Sequence, residues 1–164
     1  AYALLAHAIS VAGSMDNVEV TARRGSPLAS FLGLPPQDAA FYYARIPHPA
    51  ALFEHLRPVL SSRLAAAGLT ADGEAVVSFF RSHIRFSYAD GAVGPVRSGG
   101  TMQAPYSAGG AGVAPDLVPA LLFGPDGIDG MARKHPDVYP GPNPELMRAL
   151  FPPVRSDLLT FYLP

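Results

Sequence analysis

The spacing of the apolar residues changes near residue 73, and this change limits the possible folds more than any other feature. Between residues 49 and 67 the apolar positions recur every three or four residues, which is typical of an amphipathic helix that Gly68 would end. The residues predicted to share its buried face are Leu52, Leu56, Val59, Leu60 and Leu64. From Gly73 onward the spacing becomes two, as in strands with one buried face. A chain with both patterns is predicted to be an α/β (α+β) protein.

Short strands and a tight turn are predicted after this helix. Residues 75–80 are largely apolar, and residues 83–88 alternate strictly. One face of the second strand would carry Ile84, Phe86 and Tyr88, and the other Arg85 and Ser87. Residues 89–91, Ala-Asp-Gly, predict a hairpin turn because aspartate and glycine tolerate a positive φ, and residues 92–96 would pair back.

Prolines and glycines divide the rest of the chain into short elements. Pro58 lies inside the long helix and is expected to kink or restart it, since proline lacks a backbone donor. Helices are predicted at residues 115–123 and 144–151, each introduced by proline, and residues 98–112 are rich in glycine and serine. Alternation over residues 157–163 predicts a closing strand.

The first 46 residues predict a small α/β unit without a complete core of its own. Helical spacing over residues 4–12 ends at Gly13, and a short strand follows at residues 18–22. A second short helix would run from Ser26 to Gly33, and residues 39–46 return as a strand. Because the chain opens inside an element already under way, we expect it to be a fragment.

Composition narrows the possible partners and compartments. Only 15% of the 164 residues are charged and the net charge is -1, which disfavours a nucleic-acid partner. The absence of cysteine excludes disulfides, thiolate metal sites and a cysteine nucleophile. No apolar run approaches the roughly 18 residues that a membrane-spanning helix needs, so a cytoplasmic protein without a membrane partner is predicted.

Residues 121–138 combine several aspartates with glycine and proline, a composition found in calcium loops, phosphate loops and turns. A calcium loop would require oxygen ligands at alternate positions from Asp126, where Ile128 and Gly130 stand instead. Neither phosphate-loop pattern is present. The preferred interpretation is a turn at Gly124, followed by a short helix that Asp126 or a neighbour caps and Pro136 ends.

The remaining candidate residues are more typical of structural positions than of catalytic or ligand-binding sites. The five histidines, His7, His48, His55, His83 and His135, show no metal-binding spacing, and no nucleophile-elbow motif is present. Residues 109–112 favour a flexible loop over a ligand clamp, and the aromatic run at residues 41–43 favours core over a ligand-facing strand. No metal ligand and no cofactor-binding residue is predicted.

A family resemblance extends these predictions. The segments at residues 44–64, 118–124, 135–138 and 146–157 resemble, in order, parts of the sterol-carrier-like domain appended to bacterial GNAT-family N-acetyltransferases of the enhanced-intracellular-survival group. The resemblance covers residues 39–164. The motifs that carry it are Leu122-Phe123-Gly124, Pro136-Asp137 and Leu150-Phe151-Pro152. It implies the C-terminal remnant of a GNAT fold at residues 1–46 and a sterol-carrier-like domain with a mostly antiparallel sheet flanked by helices at residues 47–164.

The resemblance also implies a function. Residues 1–164 would be the C-terminal segment of an acetyl-CoA-dependent N-acetyltransferase, shaping the pocket for an amine-bearing acceptor and the interface of a homo-oligomer. The loop that holds acetyl-CoA in this family, Q/RxxGxG/A, would lie before Ala1, so this segment alone is expected to be inactive. In the survival-protein group the terminal carboxylate is the catalytic base, which here would be the Pro164 carboxylate.

The sequence is also compatible with two other roles. An apolar-ligand module would hold a lipid or sterol-like molecule between sheet and helices, and a purely structural part would serve assembly. We expect the interior to be filled by its own side chains rather than hollowed for a lipid. The side chains expected to point inward are Phe79, Phe86, Leu122, Phe123 and Leu150.

Overall fold

The structure is a computed structural model that describes residues 43–156 and 27–33, together with residues 3, 6, 7, 10, 11 and 13. The chain divides into two units, residues 1–42 with 157–164, and residues 43–156. In the first unit the described residues up to Val11 are helical and helix α1 spans Pro27–Phe31. Gly13 and Gly33 follow with φ of +53° and +59°, as predicted for helix ends.

Several predictions for the first unit and the chain's end lie outside the described residues. These are the strands predicted at residues 18–22 and 157–163, the cap at Ser26, and Pro164.

The second unit contains four α-helices and a five-stranded, mostly antiparallel sheet, so the predicted mixed fold with this type of sheet is confirmed. The helices are α2 at Pro49–Ala66, α3 at Val118–Phe123, α4 at Gly127–Lys134 and α5 at Pro144–Leu150. The strands are β1 at Gly73–Ser78, β2 at His83–Ala89, β3 at Ala92–Val93, β4 at Arg97–Gly99 and β5 at Ala111–Gly112. Two 3₁₀ turns at Pro105–Ala108 and Pro115–Leu117 complete it.

Strand β2 is the centre of the sheet. It pairs antiparallel with β1 on one side, and with β3 and β4 on the other. Strand β5 extends the sheet beyond β1 and pairs with it in parallel, Val77 lying opposite Ala111. The predicted turn at residues 89–91 is confirmed, since Asp90 and Gly91 have φ of 49° and 74°.

One face of the sheet packs on the helices to form the core. Ile84, Phe86 and Tyr88 of β2 are buried there, as their alternation predicts. Phe53 of α2 lies between two other aromatic rings, with its centroid 6.1 Å from that of Phe79 and 5.9 Å from that of Phe151. Side chains therefore occupy the space between the sheet and α2.

Helix α2 differs from its prediction in two respects. Its fully buried residues are Phe53, Leu60 and Leu64, whereas Val59 is 46% exposed, so the predicted apolar face was wrong at Val59 and missed Phe53. The helix also runs through Pro58 without a restart. Because proline costs one backbone hydrogen bond, burial of the flanking turns has to outweigh that loss.

Polar side chains of α2 hold the neighbouring strand β3. Ser61 Oγ accepts a 2.9 Å hydrogen bond from the Val93 amide, and Arg57 Nε donates to the Val93 carbonyl at 3.2 Å. Glu54 accepts from the Val96 amide at 2.8 Å and from Arg57 Nη1 at 2.7 Å. The helix is thus fixed to the hairpin by hydrogen bonds as well as by apolar packing.

Two strands near this hairpin have bounds that differ from the prediction. The strand expected at residues 92–96 is only β3, at residues 92–93, since Pro95 cannot donate to a ladder, and a separate strand, β4, follows at residues 97–99. Strand β1 ends at Ser78, because Phe80 has a φ of 62° that is incompatible with an extended strand. Ser78 Oγ accepts from the Phe80 amide at 3.0 Å and donates to the Met102 carbonyl at 2.7 Å, which holds this bend.

Two interpretations of aromatic and glycine-rich segments were wrong where the structure describes them. Residues 43–46 are not in a strand and Tyr43 is 91% exposed, so the described end of the aromatic run is not core. Ala111 and Gly112 are buried and form β5, so the glycine cluster ends in the sheet instead of being a flexible loop throughout.

Within residues 121–138, a bend at residues 124–126 separates α3 from α4, in agreement with the preferred interpretation. Asp126 precedes α4, but its side chain makes no capping hydrogen bond and instead binds Lys134 Nζ at 2.7 Å. Four of the five side chains expected inside are buried, whereas Phe123 is 42% exposed at the end of α3 and that prediction was wrong. Among the described helices, none has the length and apolar character needed to cross a bilayer.

Candidate functional site

The face of the sheet that points away from the helices carries the main cluster of polar side chains. Alternation along β2 places His83, Arg85 and Ser87 on this outer face, opposite the buried residues. The register between strands then places Glu74 of β1 and Arg97 of β4 beside them. We define the outer-face cluster as Glu74, His83, Arg85 and Arg97.

A chain of hydrogen bonds orders three members of the outer-face cluster. Arg85 Nη1 lies 3.1 Å from Glu74 Oε2 in an ion pair, and Arg85 Nε donates to His83 Nε2 at 3.2 Å. His83 Nδ1 is 2.8 Å from the Gly100 carbonyl oxygen. Arg85 is therefore held in place by a carboxylate on one side and an imidazole on the other.

This geometry assigns the tautomer of His83. An arginine can only donate, so Nε2 must be the unprotonated nitrogen that accepts. The proton then lies on Nδ1, which donates it to the Gly100 carbonyl. With both ring nitrogens engaged, His83 positions Arg85 and is not placed to act as a general base.

Arg97 is the member of the cluster that has no side-chain partner among the described residues. It lies directly opposite Arg85 in the β2–β4 register and is exposed. Within residues 43–156 no hydrogen bond or ion pair involves its side chain. Like charges directly opposite each other on neighbouring strands destabilise a sheet. Two guanidinium groups and one carboxylate leave the cluster with a net charge of +1 when His83 is neutral.

Two glycines next to the cluster leave room for the side chains of the outer face. A Cβ atom at Gly99 would collide with the imidazole of His83, and one at Gly94 would collide with Ser87 Oγ. The His83 ring can therefore lie across β4 only because residue 99 has no side chain. Substitution of Gly99 by a larger residue would push the imidazole away from Arg85.

Few of the candidate residues identified from the sequence belong to this site. Pro164, the predicted base, lies outside the described residues. Of the five histidines only His83 belongs to the cluster, and in the described part of the chain no group of three or more possible ligands is placed to hold a metal ion. The alternation of β2 did predict an outward Arg85, but Glu74 and Arg97 could be joined to it only through the strand register.

A second concave region lies at the bend after α3. It is an open depression of about 340 Å³ whose lining includes Asp129, Arg133 and Arg148. Arg148 Nε is 2.7 Å from Asp129 Oδ2, so an acidic and a basic group already neutralise each other across it. Two aspartates, Asp126 and Asp129, balance the two arginines of this region, whereas the outer-face cluster has a net charge of +1, which makes the outer-face cluster the stronger candidate.

Comparison of the chain with protein-family models, with curated proteins and with solved structures gave no match. The function proposed below therefore depends on the sequence motifs and on the geometry of the described residues.

Proposed function

We propose that this chain is the C-terminal segment of an acetyl-CoA-dependent N-acetyltransferase of the GNAT family, acting in the cytoplasm. In this proposal residues 1–46 complete the GNAT fold, and residues 47–164 form a sterol-carrier-like domain. The domain shapes the pocket for an amine-bearing acceptor and contributes to assembly of a homo-oligomer.

The observation that carries this proposal is a direct junction between two of the motifs behind the resemblance. The Val154 amide, which follows the Leu-Phe-Pro motif, donates to the Gly124 carbonyl of the Leu-Phe-Gly motif at 2.9 Å. The Ile128 amide donates to the Phe151 carbonyl at 3.0 Å. Gly127 has a φ of +60°, and a Cβ there would meet Pro153. These contacts support an architectural role for the motifs, which is the role they have in the family.

The chemistry in this proposal is direct transfer. The acceptor nitrogen attacks the thioester carbon of acetyl-CoA, a C–N bond forms, and the C–S bond breaks as the CoA thiolate leaves. The attacking amine must lose a proton, and in this proposal the Pro164 carboxylate receives it. Acetyl-CoA would be held by the part of the protein before Ala1, through backbone amides at a helix N-terminus.

The packed interior favours this role over that of an apolar-ligand carrier. A lipid or sterol-like molecule would need the space between sheet and helices that Phe53, Phe79 and Phe151 fill with contacting rings. Opening that space would expose several buried aromatic side chains, each of which stabilises the fold by roughly 1.5 to 3 kcal/mol.

Release of the CoA thiol from acetyl-CoA, measured with a panel of amines, tests the proposal on the full-length protein that contains this chain. We expect amine-dependent turnover, and we expect it to be lost when the protein ends at residue 46. Acetyl-CoA binding should survive that truncation, because the cofactor loop lies upstream. Turnover unaffected by the truncation contradicts the proposal.

The role of the C-terminus requires a separate variant. One glycine added after Pro164 moves the carboxylate while leaving every residue of the fold in place. We expect turnover to fall with little change in acetyl-CoA binding. Residues 1–164 alone should show no calorimetric binding of acetyl-CoA, and micromolar binding by this segment would contradict the assignment of the cofactor site.

A further inference from the structure

We propose that the outer-face cluster binds the phosphoryl group of a soluble small molecule, with Arg97 and Arg85 as its two binding residues. This inference is independent of the acetyltransferase proposal, because it depends only on the sheet of residues 43–156. The juxtaposition that carries it is the half-buried Arg85 of β2 directly opposite the exposed Arg97 of β4.

The pair formed by Arg85 and Arg97 does not stabilise the fold. A like-charged pair on neighbouring strands is unfavourable, and Arg97 has no hydrogen-bond or ion-pair partner among the residues described. Arg85, by contrast, is oriented by Glu74 and His83. Arg85 is oriented, and Arg97 has no partner among the described residues. Two such neighbouring guanidinium groups are expected where a bound anion supplies the missing negative charge.

Glu74 does not lie between Arg85 and Arg97. Strand β2 lies between β1 and β4, so Glu74 approaches Arg85 from the side opposite to Arg97. The contacts with Glu74 and His83 use Nη1 and Nε, whereas Nη2 has no partner within residues 43–156. The side chain of Arg85 is 40% exposed, so an anion from solution can reach it.

The number of donors favours a phosphoryl group over a carboxylate. A carboxylate has two oxygens and is satisfied by the fork of one guanidinium, whereas a phosphoryl group offers three oxygens to donors from two directions. Directly opposite residues on antiparallel strands have Cβ atoms about 5 Å apart, close enough for both side chains to reach one such group. Gly94 and Gly99 contribute no side chain of their own to this part of the face, although the His83 ring lies over Gly99.

Arginine side-chain NMR signals of the 164-residue chain, followed during titration with inorganic phosphate, test the inference. A parallel titration with sodium chloride at equal ionic strength separates binding from screening. We expect saturable shifts of the Arg85 and Arg97 signals with phosphate only. Arg97→Gln should weaken binding by at least about tenfold, since it removes charge-assisted hydrogen bonds. Glu74→Gln should strengthen binding roughly two- to fivefold by removing a competing charge.

Arg155→Gln is the matched control, because Arg155 is also exposed and makes no ion pair in the described part of the chain. It should leave phosphate binding unchanged. The inference is overturned if shifts merely follow ionic strength, if Arg97→Gln binds phosphate as the parent does, or if acetate saturates the same signals as tightly as phosphate. Circular dichroism of each variant shows that the fold is retained.

Discussion

Glu54 and Val96 are joined by a hydrogen bond of 2.8 Å, in which the backbone amide of Val96 donates to the carboxylate of a residue 42 positions earlier. This contact, reinforced by the adjacent Arg57 guanidinium, lowers the pKa of Glu54 below its usual value of 4.5. A carboxyl group with a lowered pKa in the folded state stabilises the fold at pH values above 4.5. That contribution is lost as the pH falls through the lowered pKa.

The first prediction concerns this pH dependence. Glu54→Gln keeps an oxygen that can accept from Val96 but removes the charge, so the variant should be less stable than the parent at pH 7. The difference should shrink as the pH falls below 4.5, because the parent carboxylate is then increasingly protonated. Urea denaturation at a series of pH values measures it. A difference between the two proteins that stays constant as the pH falls below 4.5 would contradict this prediction.

The second prediction concerns the aromatic centre of the core. Phe53→Ala should reduce the free energy of unfolding by about 3 to 5 kcal/mol, because it removes contacts with two rings and leaves a cavity. Val59→Ala on the same helix should cost below about 1 kcal/mol, since Val59 is 46% exposed. Equal losses in the two variants would show that the buried face of α2 has been assigned wrongly.

The third prediction concerns Ser78, a fully buried polar residue. Ser78→Ala removes an acceptor from the Phe80 amide and a donor to the Met102 carbonyl, and should cost about 1 to 3 kcal/mol. Ser87→Ala on the exposed side of β2 removes the same hydroxyl and should change stability by less than about 0.5 kcal/mol. Thermal denaturation of both variants distinguishes the buried hydrogen bonds from a general effect of serine replacement.

The fourth prediction concerns the contact between α2 and α5. Arg63 Nη1 donates to the Leu150 carbonyl at 2.7 Å, and burial lowers the pKa of this guanidinium from its usual value. Arg63→Met retains most of the apolar stem but leaves the carbonyl without this donor. We expect a loss of about 1 to 2 kcal/mol that is constant between pH 5 and pH 9, because arginine stays charged throughout. A loss that varies over this range would mean that another group is responsible.

Local patterns predicted the elements better than the contacts between them. The β2 strand and the turn at Asp90 and Gly91 depend on neighbouring residues, and both were predicted correctly. Strand β5 pairs with β1 through residues as far apart as Val77 and Ala111, which no short-range pattern indicates.

Helix α2 shows why its face was misassigned. At about 100° per residue, Phe53, Leu60 and Leu64 lie within about 40° of one another, whereas Val59 lies about 120° from Phe53. Both the predicted and the observed faces satisfy the same spacing of apolar residues. The packing of rings from distant segments selects between them.

The outer-face cluster, like the buried face of α2, is determined by contacts between residues that are far apart in the sequence. Alternation alone predicts that Arg85 faces outward, and no motif links it to Glu74 or Arg97. Those neighbours follow from the register of β1 and β4 against β2. A site assembled in this way has no signature in a single sequence.

The hydrogen bonds from α2 to β3 limit how copies of this protein can associate. A strand that ends a sheet usually offers free amide and carbonyl groups to which another chain can add. Both polar groups of Val93 are already occupied, the amide by Ser61 and the carbonyl by Arg57. A second copy therefore cannot extend the sheet beside β3 without first detaching the helix, and a homo-oligomer has to use a different surface.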